Sequence, residues 1–302
     1  TVNPTPAAPT VAPGVICEGG STTLTATAPG GTYTWYDSLS GGTLLNTGNT
    51  FTTPVLTNNT TYYVQSTIAG CPGPMSPVLV TVNPYPVADI VPDVNSGCQG
   101  LVVNFNNNST LGGTYNWNFA GATPTTSTAY SPAPITFNAA GNNLVYLVVT
   151  VAGCTRNDSA TISIAPLPVP VFTISPASGC SPVTSSFNNT SPVTAGDTYF
   201  WNFDNGNTST LQNPGSETYT TTGVDSIYTV QLIIAAANGC SDSTTQTVTV
   251  HANPVALFTP SADTVCANTA IIFSNNSTGA TTYSWNFGDA GTSTLTNPTH
   301  TY

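Results

Sequence analysis

Residues Tyr115-Asn-Trp117-Asn-Phe119 alternate aromatic and polar side chains with a period of two. Successive side chains of a β-strand point to opposite faces, so this stretch predicts a strand with one buried aromatic face. The pattern returns at residues 199–203 and 283–287. Its tryptophans, Trp117, Trp201 and Trp285, recur every 84 residues, and a period of this length indicates tandem domains.

The sequence around the aromatic stretch repeats with it. A cysteine precedes each of these tryptophans by 19 to 21 residues, and a phenylalanine followed by an Asn- and Ser/Thr-rich cluster lies between them. Further strand-like segments, bounded by Gly, Asn and Pro turns, lie at residues 145–151, 161–164, 228–234 and 247–250. No segment keeps helical periodicity, so the sequence predicts an all-β fold built of sandwiches.

Proline-bearing junctions divide the chain into predicted domains. Each junction ends a strand and places proline before the next domain, as in Thr81-Val-Asn-Pro-Tyr-Pro86. Because proline fixes φ and stops strand pairing, these linkers favour an extended string of domains. We predict a tail of a preceding domain at 1–5, a distinct first domain at 6–84, repeats at 85–167 and 168–252, and an incomplete repeat at 253–302. The last lacks two strands, so both ends are expected to be cut from a longer array.

Composition excludes several classes of function. The chain contains twelve acidic residues and a single basic one, Arg156. Its net charge is −11, although only 4% of its residues are charged. A nucleic-acid surface is excluded, because nothing here can neutralise phosphates. The absence of lysine excludes Schiff bases and isopeptide cross-links. With 39% hydrophobic residues, no apolar run of membrane-spanning length and no signal-peptide pattern, the chain is predicted to fold as a mature or excised segment.

Residues 283–289, Tyr-Ser-Trp-Asn-Phe-Gly-Asp, followed by Asn297-Pro-Thr-His-Thr-Tyr302, resemble the core of a PKD domain, the immunoglobulin-like module named after the polycystic kidney disease protein. Residues 201–219 are similar, and residues 85–167 depart more, with Ala-Gly in place of Gly-Asp. Residues 6–83 resemble the immunoglobulin-like repeats found beside PKD modules in very large Bacteroidota surface proteins. The resemblance implies tandem immunoglobulin-like sandwiches in a secreted or cell-surface array, exported by the type IX route, with adhesive or spacing roles.

Seven cysteines in this chain indicate disulfides and an oxidising compartment. Each complete domain has one cysteine before its second strand and one after a glycine in a late hairpin. Pairing within domains, at one pole of each sandwich, predicts three bridges: Cys17 with Cys71, Cys98 with Cys154, and Cys180 with Cys240. Cys266 is left without a partner and is predicted to be unpaired.

Few other residues suggest chemistry. His251 and His300 have no nucleophile partner, so no catalytic residue and no enzymatic activity are predicted. Calcium at Asp204, Asn205 and Asp289 is disfavoured, because a hard cation takes six or more oxygen ligands, and no metal or cofactor is expected. The four tryptophans are predicted to be core residues and not platforms for sugar stacking: Trp35, Trp117, Trp201 and Trp285.

Five of the twelve acidic residues precede Ser or Thr in a triplet that resembles the acceptor motif of general O-glycosylation in Bacteroidota. The predicted attachment sites lie in turns or at strand ends: Ser38, Ser159, Ser226, Ser243 and Thr264.

These observations favour a non-enzymatic extracellular segment of a large surface adhesin or fibre that acts as a rigid stalk. The alternatives are a spacer or carbohydrate-binding arm of a secreted degradative enzyme, and a subunit of an extracellular filament. The expected partners are further repeats of the same protein, surface glycans and other cell-surface proteins, with no nucleic acid and no membrane span in this segment.

Overall fold

A computed structural model describes residues 3–302, so the first two residues of the predicted tail at 1–5 lie outside the described part. The described residues form strands and no helix, as predicted. None of them belongs to a helix with the length and apolar character needed to cross a bilayer. The chain forms two compact units, one ending at Ala165 and the other beginning at Pro166, and each is described by itself.

The first domain is a sandwich of two sheets. Its strands are β1 (Thr10–Val11), β2 (Gly14–Cys17), β3 (Thr23–Thr27), β4 (Thr32–Tyr36), β5 (Leu44–Thr47), β6 (Thr50–Thr52), β7 (Thr60–Ile68), β8 (Cys71–Pro72) and β9 (Ser76–Asn83). One sheet has the order β1-β3-β6, and the other has the order β2-β9-β7-β4-β5 with β8 paired to β7.

The second domain repeats this plan with longer central strands. Its strands are β10 (Ile90–Pro92), β11 (Ser96–Cys98), β12 (Leu101–Val103), β13 (Phe105–Asn107), β14 (Thr114–Phe119), β15 (Ala122–Thr123), β16 (Thr126–Ser127), β17 (Ile135–Phe137), β18 (Gly141–Val151) and β19 (Cys154–Ala165). The larger sheet has the order β11-β19-β18-β14-β16, and two smaller sheets, β10-β13 and β12-β17-β15, complete the domain.

The third domain has the same larger sheet. Its strands are β20 (Phe172–Ser175), β21 (Ser178–Cys180), β22 (Val183–Asn189), β23 (Thr198–Asn202), β24 (Thr208–Ser209), β25 (Ser216–Tyr219), β26 (Ser226–Ala235) and β27 (Ser241–His251). The sheet orders are β20-β22-β25 and β21-β27-β26-β23-β24.

The fourth domain, predicted over residues 253–302, forms five strands. They are β28 (Phe258–Pro260), β29 (Ala270–Asn275), β30 (Trp285–Asn286), β31 (Thr292–Ser293) and β32 (Thr299–Thr301). They form one sheet of order β28-β29-β32 and a pair, β30-β31.

The alternating aromatic stretch lies where its period predicts. In β14 the side chains of Tyr115, Trp117 and Phe119 are buried and the asparagines between them are exposed. In β23 Trp201 is fully buried, whereas its neighbour Phe200 is 42% exposed on the opposite face. Each of the first three domains has its own core of buried apolar side chains.

The Asn- and Ser-rich clusters also have a structural role. In each repeat an asparagine Oδ1 accepts a hydrogen bond from the backbone N–H of a serine two residues later, at 2.9 to 3.0 Å: Asn107 from Ser109, Asn189 from Ser191, and Asn275 from Ser277. The serine hydroxyl then accepts from the first-strand segment, as Ser191 Oγ does from the Val171 N–H at 2.7 Å. This polar turn holds the first strand of each repeat against the cluster.

A short parallel strand was not predicted from the sequence. β2, β11 and β21 each pair in parallel with the last strand of their domain, in the registers Cys17 with Asn83, Cys98 with Ala165 and Cys180 with His251. These cysteines therefore lie at the end of the domain where the chain leaves it.

The buried tryptophan of the third domain provides a test of the core. Replacing Trp201 with Ala empties a fully buried site and is expected to destabilise that domain by about 3–5 kcal/mol. Native-state hydrogen exchange of the β26 amides measures this, because a multidomain chain has no single unfolding transition.

Phe200→Ala is the matched control, because Phe200 lies on the same strand with its side chain exposed. Its effect is expected to stay below about 1 kcal/mol. Equal exchange rates in the two variants would contradict the assignment of the buried face.

Candidate functional site: the junction of the first two domains

The first domain places Cys17 beside the residue at which its last strand ends. Cys17 is registered with Asn83, and the Glu18 N–H donates to the Asn83 carbonyl at 2.9 Å. A tight turn follows, in which a Cβ on Gly20 would lie only 2.9 Å from the Cys17 carbonyl oxygen. The Cys17 side chain therefore lies at the pole next to the second domain.

The second domain brings a hairpin to the same place. β18 and β19 are joined by Ala152 and Gly153, whose φ values of 49° and 84° suit a two-residue hairpin turn. The Asn83 side chain donates to the Ala152 carbonyl at 3.0 Å. Cys154 is 1% exposed and forms a disulfide with Cys17, with the two Cα atoms 5.6 Å apart. A covalent bridge thus crosses the junction.

The only basic side chain of the sequence lies at this junction. The guanidinium carbon of Arg156 lies 3.6 Å from the centre of the Tyr85 ring, a cation–π contact worth about 0.5–1 kcal/mol at an exposed site. Tyr85 stands between Pro84 and Pro86, whose rings restrict the linker backbone. The contact joins the linker to the same strand that carries the bridging cysteine.

Sequence reasoning missed this contact, although a signal was present. Cys154 and Arg156 are two residues apart on β19, so their side chains share one face of the strand. A cysteine and the only cation on one face of β19 indicate that this face contacts the linker and the preceding domain. The sequence alone did not show where the first domain lies relative to this face of β19.

Two family models match segments of this chain. Residues 6–84 match the model of an Ig-like domain, CHU_C associated. Residues 165–252 and 251–302 each match the model of the PKD domain. No curated protein matches the chain.

The chain is a tandem segment of Ig-like and PKD domains. Modules of these two kinds are typically non-catalytic, and they agree with the immunoglobulin-like sandwiches that the sequence resemblance implied.

Several solved structures are similar to it. The PKD1 domain of the metalloprotease PrtV from Vibrio cholerae is 30% identical, with 28% of this chain and 98% of that chain covered and a TM-score of 0.22. The I-band fragment I67–I69 of titin is 14% identical, with 82% and 96% covered and a TM-score of 0.37. Extracellular domains 3–5 of Drosophila OTK are 16% identical, with 83% and 100% covered and a TM-score of 0.26.

The predicted disulfides within domains are wrong. Cys17 bonds to Cys154 of the next domain. This bond excludes both the predicted pair of Cys17 with Cys71 and the predicted pair of Cys98 with Cys154. Cys71 and Cys180 are free thiols, which excludes the predicted Cys180 to Cys240 bridge. Cys98 and Cys240 are disulfide-bonded. Cys266 is an exposed free thiol.

The position of the short parallel strand explains the error. Cys17 lies at the Asn83 end of the larger sheet, whereas Cys71 pairs with Ile68 in the hairpin at its other end. The nine residues of β7 separate these ends by about 27 Å, and a disulfide requires Cα atoms within about 7 Å. In the second and third domains the last strands, β19 and β27, separate the two cysteines by about 35 Å. The two cysteines of a domain lie at opposite poles.

The tryptophans of the Ig-like domain and of the first two repeats are buried, namely Trp35, Trp117 and Trp201. Trp285 in the last PKD domain differs, because it remains partly exposed although it packs on Phe258 and Phe273. Rings that are fully covered cannot stack on a sugar.

The loop residues weighed as metal or catalytic candidates are hydrogen-bonded to neighbouring strands of their own domains. Asp289 Oδ2 lies 2.7 Å from His300 Nε2, and Asp204 Oδ2 accepts from the Thr229 N–H at 2.9 Å. Asn205 donates to Glu217. Among residues 3–302 the structure groups no three His, Cys, Asp or Glu side chains in a way that holds a metal ion.

The predicted glycosylation sites differ in exposure. Ser159, Ser243 and Thr264 are exposed, whereas Ser38 and Ser226 are half-buried. Ser159 lies in the middle of β19, and not in a turn or at a strand end as predicted. The preceding acids also have structural roles, since Asp158 Oδ2 accepts from the Ile90 N–H at 2.9 Å.

His251 lies in the junction between the two PKD domains and contacts a carboxylate. Asp225 Oδ2 is 2.7 Å from His251 Nδ1, and Asp225 Oδ1 accepts from the Ala252 N–H at 2.9 Å. The hydrogen bond to His251, followed by that from Ala252, lowers the pKa of the Asp225 carboxyl below its ordinary value. A lowered pKa in the folded state means that the contribution to stability is complete above about pH 4 and is lost as the pH falls through the folded-state pKa.

We therefore expect the Asp225 carboxyl to titrate below its ordinary pKa in an NMR pH titration. His251→Ala removes the side-chain partner but keeps the Ala252 N–H, so the pKa is expected to rise part of the way back. Asp93 is the internal control, because hydrogen bonds from Asn104 lower its pKa. A shift of both carboxyls in H251A, or of neither, would contradict the assignment.

Proposed function

We propose that this chain is a non-enzymatic, extracellular segment of a surface adhesin or fibre and that it acts as a rigid stalk. The bridge between Cys17 and Cys154 carries the proposal. A bond that joins two successive domains does not hold either sandwich together. It restrains the angle between them, which is the property that a stalk needs.

The packing of the domains supports a structural role. Three of the four domains enclose separate cores, and the indole rings of these cores are covered. The chain has a net charge of −11 with one arginine and no lysine, and the guanidinium of that arginine contacts the ring of Tyr85. Disulfides support an oxidising, extracellular location. The segment therefore acts as a spacer, and binding partners contact other parts of the array.

Electron–electron distance measurements on the full chain test the stalk. Spin labels on p-acetylphenylalanine at Leu39 and Tyr146, both exposed, report the distance between the first two domains. The bridged protein is expected to give one narrow distance distribution. The double variant C17S/C154S is expected to give a distribution at least about twofold broader, because only the linker, the Asn83 hydrogen bond and the Arg156 contact remain.

Cys71→Ser is the matched control, because it removes a free thiol of the same domain and leaves the bridge intact. It is expected to keep the narrow distribution. Distributions of equal width in C17S/C154S and C71S would show that the bridge does not restrain the joint, and the stalk proposal would be wrong.

O-glycans on the exposed Asp-Ser/Thr sites belong to the same proposal. In protein from the native host, Ser159, Ser243 and Thr264 are expected to be occupied, so that this segment exceeds the 30.9 kDa of the polypeptide. Intact mass and site mapping measure this. Ser186 is the matched control, because it is exposed on β22 and follows a serine. Modification of Ser186 to the same extent, or an unmodified mass, would contradict the motif.

A further inference from the structure

The first three domains expose three aromatic rings among their described residues. Tyr85, Tyr146 and Phe200 are 38%, 42% and 42% exposed. The Arg156 guanidinium contacts the Tyr85 ring. Tyr146 and Phe200 instead lie on the outer faces of the larger sheets of their domains, because the residues on either side of each of them point the other way along β18 and β23. Each of these two faces therefore leaves aromatic surface in water that a further contact can cover.

In the second domain the exposed ring lies next to a predicted glycan acceptor. Tyr146 on β18 is registered with Ser159 on β19, and both side chains are exposed. Side chains directly opposite each other in an antiparallel pair have Cβ atoms about 4.5–5.5 Å apart. The first sugar of a glycan on Ser159 Oγ therefore begins beside the Tyr146 ring.

The third domain has the same juxtaposition, with one more strand between the serine and the ring. Ser243 on β27 is registered with Ile233 on β26, and Ile233 is registered with Phe200 on β23. Ser243 is exposed and Ile233 is half-buried. Two strand spacings of about 4.8 Å separate Ser243 from Phe200. The first sugar on Ser243 therefore lies over Ile233, and the second lies over the ring.

The surroundings of Tyr146 suit a neutral sugar. Asn118 is registered with Tyr146 on its other side and is exposed, so its amide can donate to and accept from sugar hydroxyls. The neighbouring outward positions on β19 are Asn157 and Thr161, which are exposed and uncharged. One face of a pyranose ring carries C–H groups, and placing that face on an aromatic ring removes apolar area from water.

We propose that the outer faces of these two larger sheets are platforms for the chain's own O-glycans. The glycan on Ser159 packs over Tyr146, and the glycan on Ser243 packs over Ile233 and Phe200. The inference rests on the O-glycosylation proposed above and adds a fixed position for each glycan. A glycan held in this way covers the sheet face, whereas a glycan that extends into solvent leaves the ring exposed.

Attachment of each glycan requires a glycosyltransferase and a sugar whose anomeric carbon is bonded to a phosphate of its carrier. Ser159 Oγ attacks the anomeric carbon, the bond from that carbon to the phosphate oxygen breaks, and the phosphate leaves with the electron pair. The hydroxyl proton passes to a base of the transferase. No group is oxidised or reduced, and Ser243 reacts in the same way.

Hydroxyl-radical footprinting of the full chain from the native host tests the packing. Mass spectrometry of its peptides measures the oxidation of Tyr146 and Phe200 and shows whether Ser159 and Ser243 carry glycans. Ser159→Ala is expected to raise the oxidation of Tyr146 about threefold, because the ring regains contact with water, and to leave Phe200 unchanged. Ser243→Ala is expected to raise the oxidation of Phe200 by a similar factor and to leave Tyr146 unchanged.

The two variants are matched controls, since each removes one glycan and keeps the other. Tyr85 is the internal reference, because its ring contacts Arg156. Arg156 and Ser159 are three residues apart on β19, so their side chains point to opposite faces of that strand. The oxidation of Tyr85 is therefore expected to be the same in the unmodified chain and in both variants.

The glycan maps and the oxidation levels separate the two proposals. Unmodified serines at both positions would refute the O-glycosylation, and this inference with it. Glycans at both serines, with the oxidation of Tyr146 unchanged by S159A, would leave the O-glycosylation standing and overturn the packing alone. Low oxidation of Tyr146 that persists in S159A and is lost on dilution would show that a second copy covers the face, and the packing would again be wrong.

Discussion

The structure depends on one interaction that all four domains share, a tryptophan whose indole N–H donates to a backbone carbonyl. The distances are 2.8 to 2.9 Å for the four pairs, Trp35 to Gly48, Trp117 to Ala129, Trp201 to Leu211, and Trp285 to Leu295. A buried indole donor must be satisfied, since leaving it without a partner costs the desolvation of the group. The bond therefore holds the loop after the tryptophan strand against the core and sets the edge of the larger sheet.

The larger sheet then determines where the cysteines lie. Because the last strand of each complete domain runs the length of the sandwich, a short strand that joins it in parallel ends at the exit pole. The hairpin that begins the last strand lies at the entry pole. The geometry of the larger sheet thus places the two cysteines of one domain at opposite poles. One cysteine lies near the preceding domain and the other near the following domain. The first two domains are joined by the bond between Cys17 and Cys154 as well as by their linker.

The charge composition determines which polar contacts the chain can make. A chain with one cation has almost no ion pairs to offer, so its polar contacts are hydrogen bonds of Asn, Ser, Thr and backbone groups. Acidic side chains such as Asp158 and Asp225 accept hydrogen bonds from backbone N–H groups. Arg156 acts on an aromatic ring and not on a carboxylate. At the first junction the one cation is thus held by the linker, and the acidic side chains elsewhere accept hydrogen bonds from neutral groups.

The sequence alone determined the all-β class, the tandem repeat and the strand faces around Trp117 and Trp201, because period-two alternation and residue spacing are local properties of the chain. It did not determine the partner of Cys17 or the contact of Arg156 with Tyr85. The first depends on a parallel pairing between strands more than sixty residues apart in sequence, and both depend on the neighbouring domain. Spacing shows that two cysteines recur in each of the first three domains, but only the packed sheet decides that they lie at opposite poles, where Cys17 bonds to Cys154 of the next domain.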